Sequence, residues 1–395
     1  MDVVGFDAET TKAPRHLPWV GGSYLVSASA VPLSSAQTNS WLFNHPDMVK
    51  PQKESIDELK EILFSAKRIV AHNIKFDLLW LLWLGFDIDS LTVYCTQVAE
   101  YLIRRQETNR GTLTLEQLSK DYGISDKIDK VKLFWESGYE TDEIPSSILT
   151  PYCEQDVINC LAIYQRQARQ IKDMGITALC TLQFEISKVL AKVEYNGLLI
   201  NQQKLEEFSN EYGIQIADLD RRITEIIRSK SGVGEADYNI SSGEQLSAIL
   251  YGGTLRQPGK EVVQRVRKDG SIREYERKCT VEIPIKGLGF QHTKDIATSK
   301  EGVYKTDIET LKSLKCKESY QREFVKLVLE RSRLVKLKST YFDGLSDKLV
   351  DSFIHSSMNQ TIARTGRLSS SNPNSQNLPR GSTGPVKQIF MTRYH

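Results

Sequence analysis

Asp7 and Glu9 stand two residues apart in Asp2 to Thr11, an apolar run that predicts a buried strand passing into a polar turn. On a strand the two carboxylates project from one face, while Phe6 and Ala8 take the other. Arg68 to Ala71 predicts a second strand, with Asn73 as the N-cap of the next helix and Asp77 one turn inside it. A third group lies at Thr150 to Asp156. There Thr150 predicts a helix cap, Pro151 the first helical position and Glu154 an acid at the positive end of the dipole. Tyr152 and Asp156 then stand at i and i+4 and share one helical face.

Four carboxylates from three separated segments would thus converge. Like charges gathered in a cleft repel and partly protonate unless cations hold them, and oxygen-only ligands suit Mg²⁺ or Mn²⁺. Two such ions, roughly 3.5–4 Å apart, can activate a water and stabilise the leaving oxygen of a phosphodiester. Tyr152 would orient that water. The set reads as a nuclease site.

Short acidic patterns also arise by chance, since 50 of the 395 residues are Asp or Glu. Asp307 and Glu309 repeat the first spacing, but Thr306 with Glu309 forms a capping box, which predicts a structural role. Tyr122 and Asp126 repeat the last spacing, but Gly123 and Ser125 between them predict a loop. Cys153 has no histidine near it in sequence, so a nucleophilic thiol is not expected. His72 falls where a strand ends and reads as a satisfied surface or loop histidine; zinc is poorly supported, because the six histidines are scattered.

In order and context, these motifs resemble the proofreading 3'-5' exonucleases of the ribonuclease H-like superfamily, in the subgroup with tyrosine at the last motif. The resemblance spans about residues 1 to 178. It implies an α/β fold with metal ligands at Asp7, Glu9, Asp77 and Asp156, catalytic help from Tyr152, and Asn73 and Phe76 holding the terminal nucleotides. Relatives usually have Asp where this chain has Cys95 before Thr96; that departure puts a helix cap in doubt rather than the chemistry.

At 395 residues the chain predicts two or three domains. Its 40% hydrophobic and 26% charged content is that of an ordinary globular protein. With 52 basic against 50 acidic residues, affinity for nucleic acid must come from local clusters rather than a global field. No charged-then-apolar leader opens the chain and Leu78 to Leu84 is too short to span a bilayer, so no membrane role is expected. The six cysteines form no C-x-x-C pair, which fits a reduced cytoplasm, the host's if the source is viral.

From Leu182 the apolar spacing turns helical and stays so through Ile227, broken at Asn196 and Gly197. Further helices are predicted after Ser241, from about Thr306 to Leu314 and from Tyr320 to Thr340. Between them, β-branched alternation around Asp269-Gly270 predicts a β-hairpin within 254–290, with nine basic against five acidic residues. It is weighed evenly as a solvated flap or as a DNA or partner contact. Arg331, Arg333, Lys336 and Lys338 fall within eight residues with no acid among them, which predicts phosphate contacts by Arg333, Lys336 and Lys338.

The run Asn359 to Pro379 is dense in hydrogen-bonding side chains and turn formers and cannot be a core helix. It resembles the Thr-Gly-Arg-Leu-Ser-Ser motif of family A DNA polymerases, departing mainly at Ser375, where leucine is usual. The likeness implies three parts: an exonuclease domain over 1–178, a mainly α-helical thumb with the hairpin over 179–350, and the start of a palm over 351–395. It implies primer-template DNA and 3' single-stranded ends as partners, with Arg367, Gln376 and Asn377 near the minor groove or backbone of the duplex; Arg380 and Lys387 could serve a similar purpose. The family's palm carboxylates and fingers would lie beyond His395. This predicts a second polypeptide carrying palm and fingers, or a truncation, and a split gene would suit a bacteriophage. An exposed apolar edge around Val386 to Met391 would form the joint, and a processivity factor is a possible further partner. The rival reading is a non-catalytic DNA-binding assembly subunit with a vestigial site.

Overall fold

The computed structural model describes residues 3–12, 17–35, 37–107, 111–124, 130–266, 272–292, 294–381 and 384–393. In chain order its elements are β1 (Val3–Thr10), β2 (Leu25–Pro32), β3 (Asn39–Leu42), α1 (Gln52–Ser65), β4 (Arg68–Ala71), α2 (Lys75–Trp83), β5 (Val93–Cys95), α3 (Thr96–Ile103), α4 (Leu115–Asp121), α5 (Lys130–Glu136), α6 (Ser146–Asp173) and α7 (Thr177–Asn196). There follow β6 (Leu198–Leu199), α8 (Gln202–Lys230), α9 (Gly243–Tyr251), β7 (Gly253–Val266), β8 (Ile272–Ile285), α10 (Ile308–Ser313), α11 (Ser319–Leu337), β9 (Phe353–Ile354), β10 (Ser357–Asn359) and β11 (Ser369–Ser371). They form two compact units, one of residues 1–200, 348–379 and 390–395, the other of 201–347 and 380–389.

The first unit is built on a five-stranded sheet in the order β3-β2-β1-β4-β5. β1 runs antiparallel to β2 and parallel to β4, while β5 extends the parallel half. On β1 the alternation is the expected one: Phe6 and Ala8 are buried and Asp7 and Glu9 half-buried. Helix α6 crosses this strand at Gly5, where a Cβ would come within 2.6 Å of Val157 Cγ1 and 2.7 Å of Leu161 Cγ. Only glycine permits so close an approach. Helix α2 buries Leu78, Leu79, Trp80 and Leu81 behind Asp77, as its apolar composition requires.

Two expected helix starts are corrected. Helix α6 begins at Ser146, not at Thr150, and Pro151 lies inside it. Pro151 removes one backbone hydrogen bond and sets its ring against the Ser147 carbonyl one turn earlier. The free N-terminal groups are met instead by Asp47, whose Oδ2 accepts from the Ser146 N–H at 3.2 Å and from its hydroxyl at 2.6 Å. Asn73 does not cap α2; Ile74 occupies that position without a side-chain cap, and Asn73 adopts φ +54°. Cys95 precedes α3 and provides no side-chain cap, as its departure from the usual Asp suggested.

Among the described residues the polar run from Asn359 to Pro379 contains no α-helix. β10 and β11 pair antiparallel, with Ser357 opposite Ser371. Ser375 donates its N–H to Ser370 Oγ at 3.2 Å, in a tight polar turn. This segment belongs with the first unit: Tyr101 donates its hydroxyl to the Ala363 carbonyl at 2.7 Å, and Ser187 bonds Gln360 at 2.8 Å. The two compact units therefore cut across the three-part division expected from sequence. Helix α7 and residues 348–379 fall with the sheet because buried polar contacts tie them there.

In the second unit α8 packs its buried stripe Leu205, Tyr212, Leu219, Ile223 and Ile227 against α11, which contributes Phe324, Leu327, Val328, Leu334 and Leu337. α11 continues as a π-helical turn over Lys338–Asp343. Asp307, rather than Thr306, caps α10 by accepting from the Thr310 N–H at 2.9 Å, so the second D-x-E pair is indeed structural. β7 and β8 form a two-stranded antiparallel ribbon, and Asp269-Gly270 lie outside the described residues. The expected exposed edge at Val386 to Met391 is not found: Val386 and Ile389 are fully buried on a short turn packed against α8, and Met391 is exposed. Among the described residues no helix is long and apolar enough to cross a membrane.

Candidate active site

Three elements deliver the acidic residues to one place. β1 presents Asp7 and Glu9, the first turn of α2 presents Asp77, and α6, held down at Gly5, presents Tyr152 and Asp156. Donor atoms of Asp7, Glu9 and Cys153 lie within 4.8 Å of one another. The charges of Asp7, Glu9 and Asp156 all reach the Cys153 thiol, and those of Asp7 and Glu9 reach Asp77.

Asp77 is 2% exposed. Burial first, then the charges of Asp7 and Glu9, push its carboxyl well above the ordinary 3.8, against the N–H groups of Asp77 and Ala8, which favour its charged form. Such a group ionises when a cation is beside it. The donors on hand are carboxylate oxygens, which suit a hard divalent ion. The thiol is a different matter. Burial and the neighbouring charges of Asp7 and Glu9 push Cys153 well above 9.0, so it stays protonated and donates to Asp7 Oδ2 at 3.6 Å. Without a cation it orients a carboxylate and has no thiolate to offer as nucleophile.

Tyr152 is half-buried, and its ring meets Trp135 edge-on, with centroids 6.0 Å apart and planes at 82°. Trp135 was not foreseen, because α5 is remote in sequence from every acidic motif. Lys12 donates to the Trp135 carbonyl at 2.6 Å and fixes that helix beside the end of β1. A cleft of about 390 Å³ opens there, lined by Glu9, Lys12, Phe76, Trp135 and Thr141. Phe76 also lines a second cavity of about 700 Å³, together with Asn73, Lys75, Gln97, Asn359 and Gln360. Phe76 thus lines both the cleft at Glu9 and the polar cavity, and Asn73 lines the cavity.

Lys75, two residues before Asp77, makes a largely buried ion pair with Glu194 of α7, and Glu194 also accepts from the Met358 N–H on β10. No motif in the chain marks this link. His72 stands half-buried in the bend after β4, a loop histidine as expected, but it is not fully satisfied, because its Nε2 is buried without a hydrogen-bond partner among the described residues. Its Nδ1 lies 3.0 Å from Thr96 Oγ1, and burial pulls its pKa down to about 4. Asp126 of the second Y-x3-D pair lies outside the described residues, and Tyr122 donates to the buried Glu100 at 2.7 Å in a structural network.

The expected duplex contacts fall in both units. Arg367, Gln376 and Asn377 are exposed in the first. Arg333, Lys336 and Lys338 belong to the second, where the cations are not free of acids as their own segment implied. Arg333 pairs with Glu330 at 2.6 Å and Lys338 with Asp343 at 2.8 Å, while Arg331, mostly buried, pairs with Asp220.

Residues 1–172 match the family model described as 3'-5' exonuclease, and residues 281–394 that described as DNA polymerase family A. The DNA polymerase I of Chloroflexus aurantiacus is 28% identical over 317 residues, 78% of this chain and 28% of that protein. That of Pseudomonas aeruginosa is 26% identical over 412 residues, 99% of this chain and 38% of that protein. The chain therefore spans well under half the length of these relatives. A solved structure, the POL domain of Pol1 from M. smegmatis in complex with DNA primer-template and dNTP, matches with a TM-score of 0.63 at 20% identity, covering 98% of this chain and 53% of that one. That likeness is one of fold. The two matches make the first part of this chain similar to 3'-5' exonuclease domains and its last part similar to the polymerase region of family A DNA polymerases.

Proposed function

We propose that the chain removes 3'-terminal nucleotides from DNA, using divalent cations held by Asp7, Glu9, Asp77 and Asp156. The observation that carries this reading is the buried Asp77, whose carboxyl is pushed well above 3.8 by burial and by two neighbouring acids. Such an arrangement is unfavourable without a cation. Mg²⁺ or Mn²⁺ at these oxygens would supply an activated water and stabilise the departing oxygen. Tyr152, braced by Trp135, would orient the water, and Phe76 and Asn73 would hold the terminal nucleotides at the mouth of the cleft. The sheet order β3-β2-β1-β4-β5, antiparallel on one side and parallel on the other, supports a ribonuclease H-like fold for this domain.

The polymerase region is proposed to grip primer-template duplex through Arg333, Lys336 and Lys338 on α11 and its π-helical turn, and through Arg367, Gln376 and Asn377. The match over residues 281–394 supports this reading. The test uses DNA strands labelled at the 3' or the 5' end. With Mg²⁺, 3' label should appear as mononucleotide at once and 5' label only in shortened ladders; chelation should stop both. Internal cuts from the outset, or cleavage that persists in chelator, would rule the reading out.

A further inference from the structure

The β7–β8 ribbon treats its two faces differently. On one face the charges balance, three cations against three acids: Arg256 pairs with Glu282 at 2.8 Å, Lys260, which stands opposite Lys278, pairs with Glu276 at 2.7 Å, and Gln264 bonds Glu274 at 2.6 Å. The strand register puts residues of odd number on the other face. There Arg277 pairs with Glu261, but farther out Arg265 stands directly opposite Arg273, both exposed. Among the described residues neither of these two has an acidic partner. Like charges directly across an antiparallel pair are destabilising; Glu276 offsets Lys260 opposite Lys278, and among the described residues no acid offsets Arg265 opposite Arg273. Charged residues do keep ribbon edges from pairing with other chains, yet the even-numbered face achieves that with as many acids as cations, whereas the odd-numbered face carries three arginines against Glu261 among the described residues.

Beside the arginine pair on the same face is the cross-strand pair of Val263 and Tyr275, with Tyr275 41% exposed. A cationic pair next to an open aromatic ring suits a polyanion that carries flat rings. Duplex DNA keeps its base faces stacked inside, whereas a single strand can lay a base on the tyrosine while its phosphates meet the arginines. We infer that the odd-numbered face of this ribbon binds single-stranded nucleic acid, with phosphates on Arg265 and Arg273 and a base on Tyr275. The inference rests on the reading that the chain works on DNA, but it assigns a contact outside the acidic cleft, in the other compact unit.

The test is fluorescence anisotropy of the full chain with a labelled oligothymidylate, and with a duplex of equal length, in chelator to prevent cleavage and over a range of salt. Arg265→Ala with Arg273→Ala should lower the log-log salt slope on the single strand by about 1.4, two contacts at about 0.7 each. Arg265→Lys with Arg273→Lys should keep the slope. Tyr275→Ala should weaken single-strand binding by about tenfold with the slope unchanged, because it removes stacking and no charge. Melting curves identify any variant that fails to fold, and Arg265→Gln with Arg273→Gln then takes its place in the same titration. Unchanged slope and affinity, or equal losses on duplex, would overturn the inference. Hydrolysis of a trinucleotide with Mg²⁺ should be untouched by all these variants. If the unaltered chain fails to hydrolyse it, the exonuclease reading falls while the binding titration still reports on the ribbon.

Discussion

Gly5 of β1 and Val157 of α6 approach so closely that a Cβ on the glycine would lie 2.6 Å from Val157 Cγ1. Both side chains it would strike, Val157 and Leu161, are buried in the helix–sheet interface and cannot swing away. Gly5→Ala should therefore lift α6 from β1 and cost about 1–3 kcal/mol of stability. Because α6 carries Tyr152 and Asp156, nucleotide release should fall further than the loss of folded protein explains. Melting curves and hydrolysis rates, measured together, check this; unchanged values for both would mean that the contact does not position the site.

Cys153 is expected to matter through Asp7 alone. Its thiol is buried and stays protonated, so alkylating reagents should not inhibit the folded chain. Cys153→Ser retains a donor for Asp7 and should keep the hydrolysis rate within about tenfold, in line with the modest net worth of one hydrogen bond. Complete loss of activity in a folded Cys153→Ser protein would point to thiol chemistry instead.

Without a cation, the folded chain holds a proton on Asp77 that the unfolded chain releases. Its contribution to stability is thus full below 3.8 and is lost as pH rises through the elevated value. In chelator, the melting temperature should fall as pH is raised from about 4 upward, and Asp77→Asn should flatten that fall. Adding Mn²⁺ should raise melting in the unaltered chain and much less in Asp77→Asn. The check is a series of melts across pH with and without metal; identical pH slopes for both proteins would contradict the assigned burial of charge.

Local signals carried the site and nonlocal ones did not. The alternation Phe6-Asp7-Ala8-Glu9 is a property of eight consecutive residues, and so is the apolar helix behind Asp77; both were legible. The start of α6 was not, because its cap is Asp47, about a hundred residues away, and local reading placed Pro151 at a boundary that Ser146 occupies. Asn73 has the right residue type for a cap but takes a left-handed conformation, which asparagine tolerates better than most residues. Trp135 beside Tyr152 and Glu194 beneath Lys75 come from elements with no motif of their own. Val386 and Ile389 read as an open edge only because α8, which covers them, lies far upstream.

The ion pairs of Arg333 with Glu330 and of Lys338 with Asp343 do not preclude phosphate binding. Exposed pairs contribute about 0–1 kcal/mol, so a phosphate can take either cation over. Changing Arg333, Lys336 and Lys338 together to Ala should lower the salt slope of duplex binding by up to about 2.7, at about 0.9 per contact. A salt titration with primer-template that returns the original slope would leave these residues as a solvated face.

The central claim is that Asp7 and Glu9, with Asp77 and Asp156, form the hydrolytic centre. The most direct measurement is release of 3'-labelled nucleotide by the purified chain in Mg²⁺, before and after Asp7→Ala with Glu9→Ala, alongside DNA binding in chelator. The account predicts that the double substitution abolishes release while binding and melting stay close to those of the unaltered chain. Undiminished release by the folded double variant would contradict it and place the chemistry elsewhere on the chain.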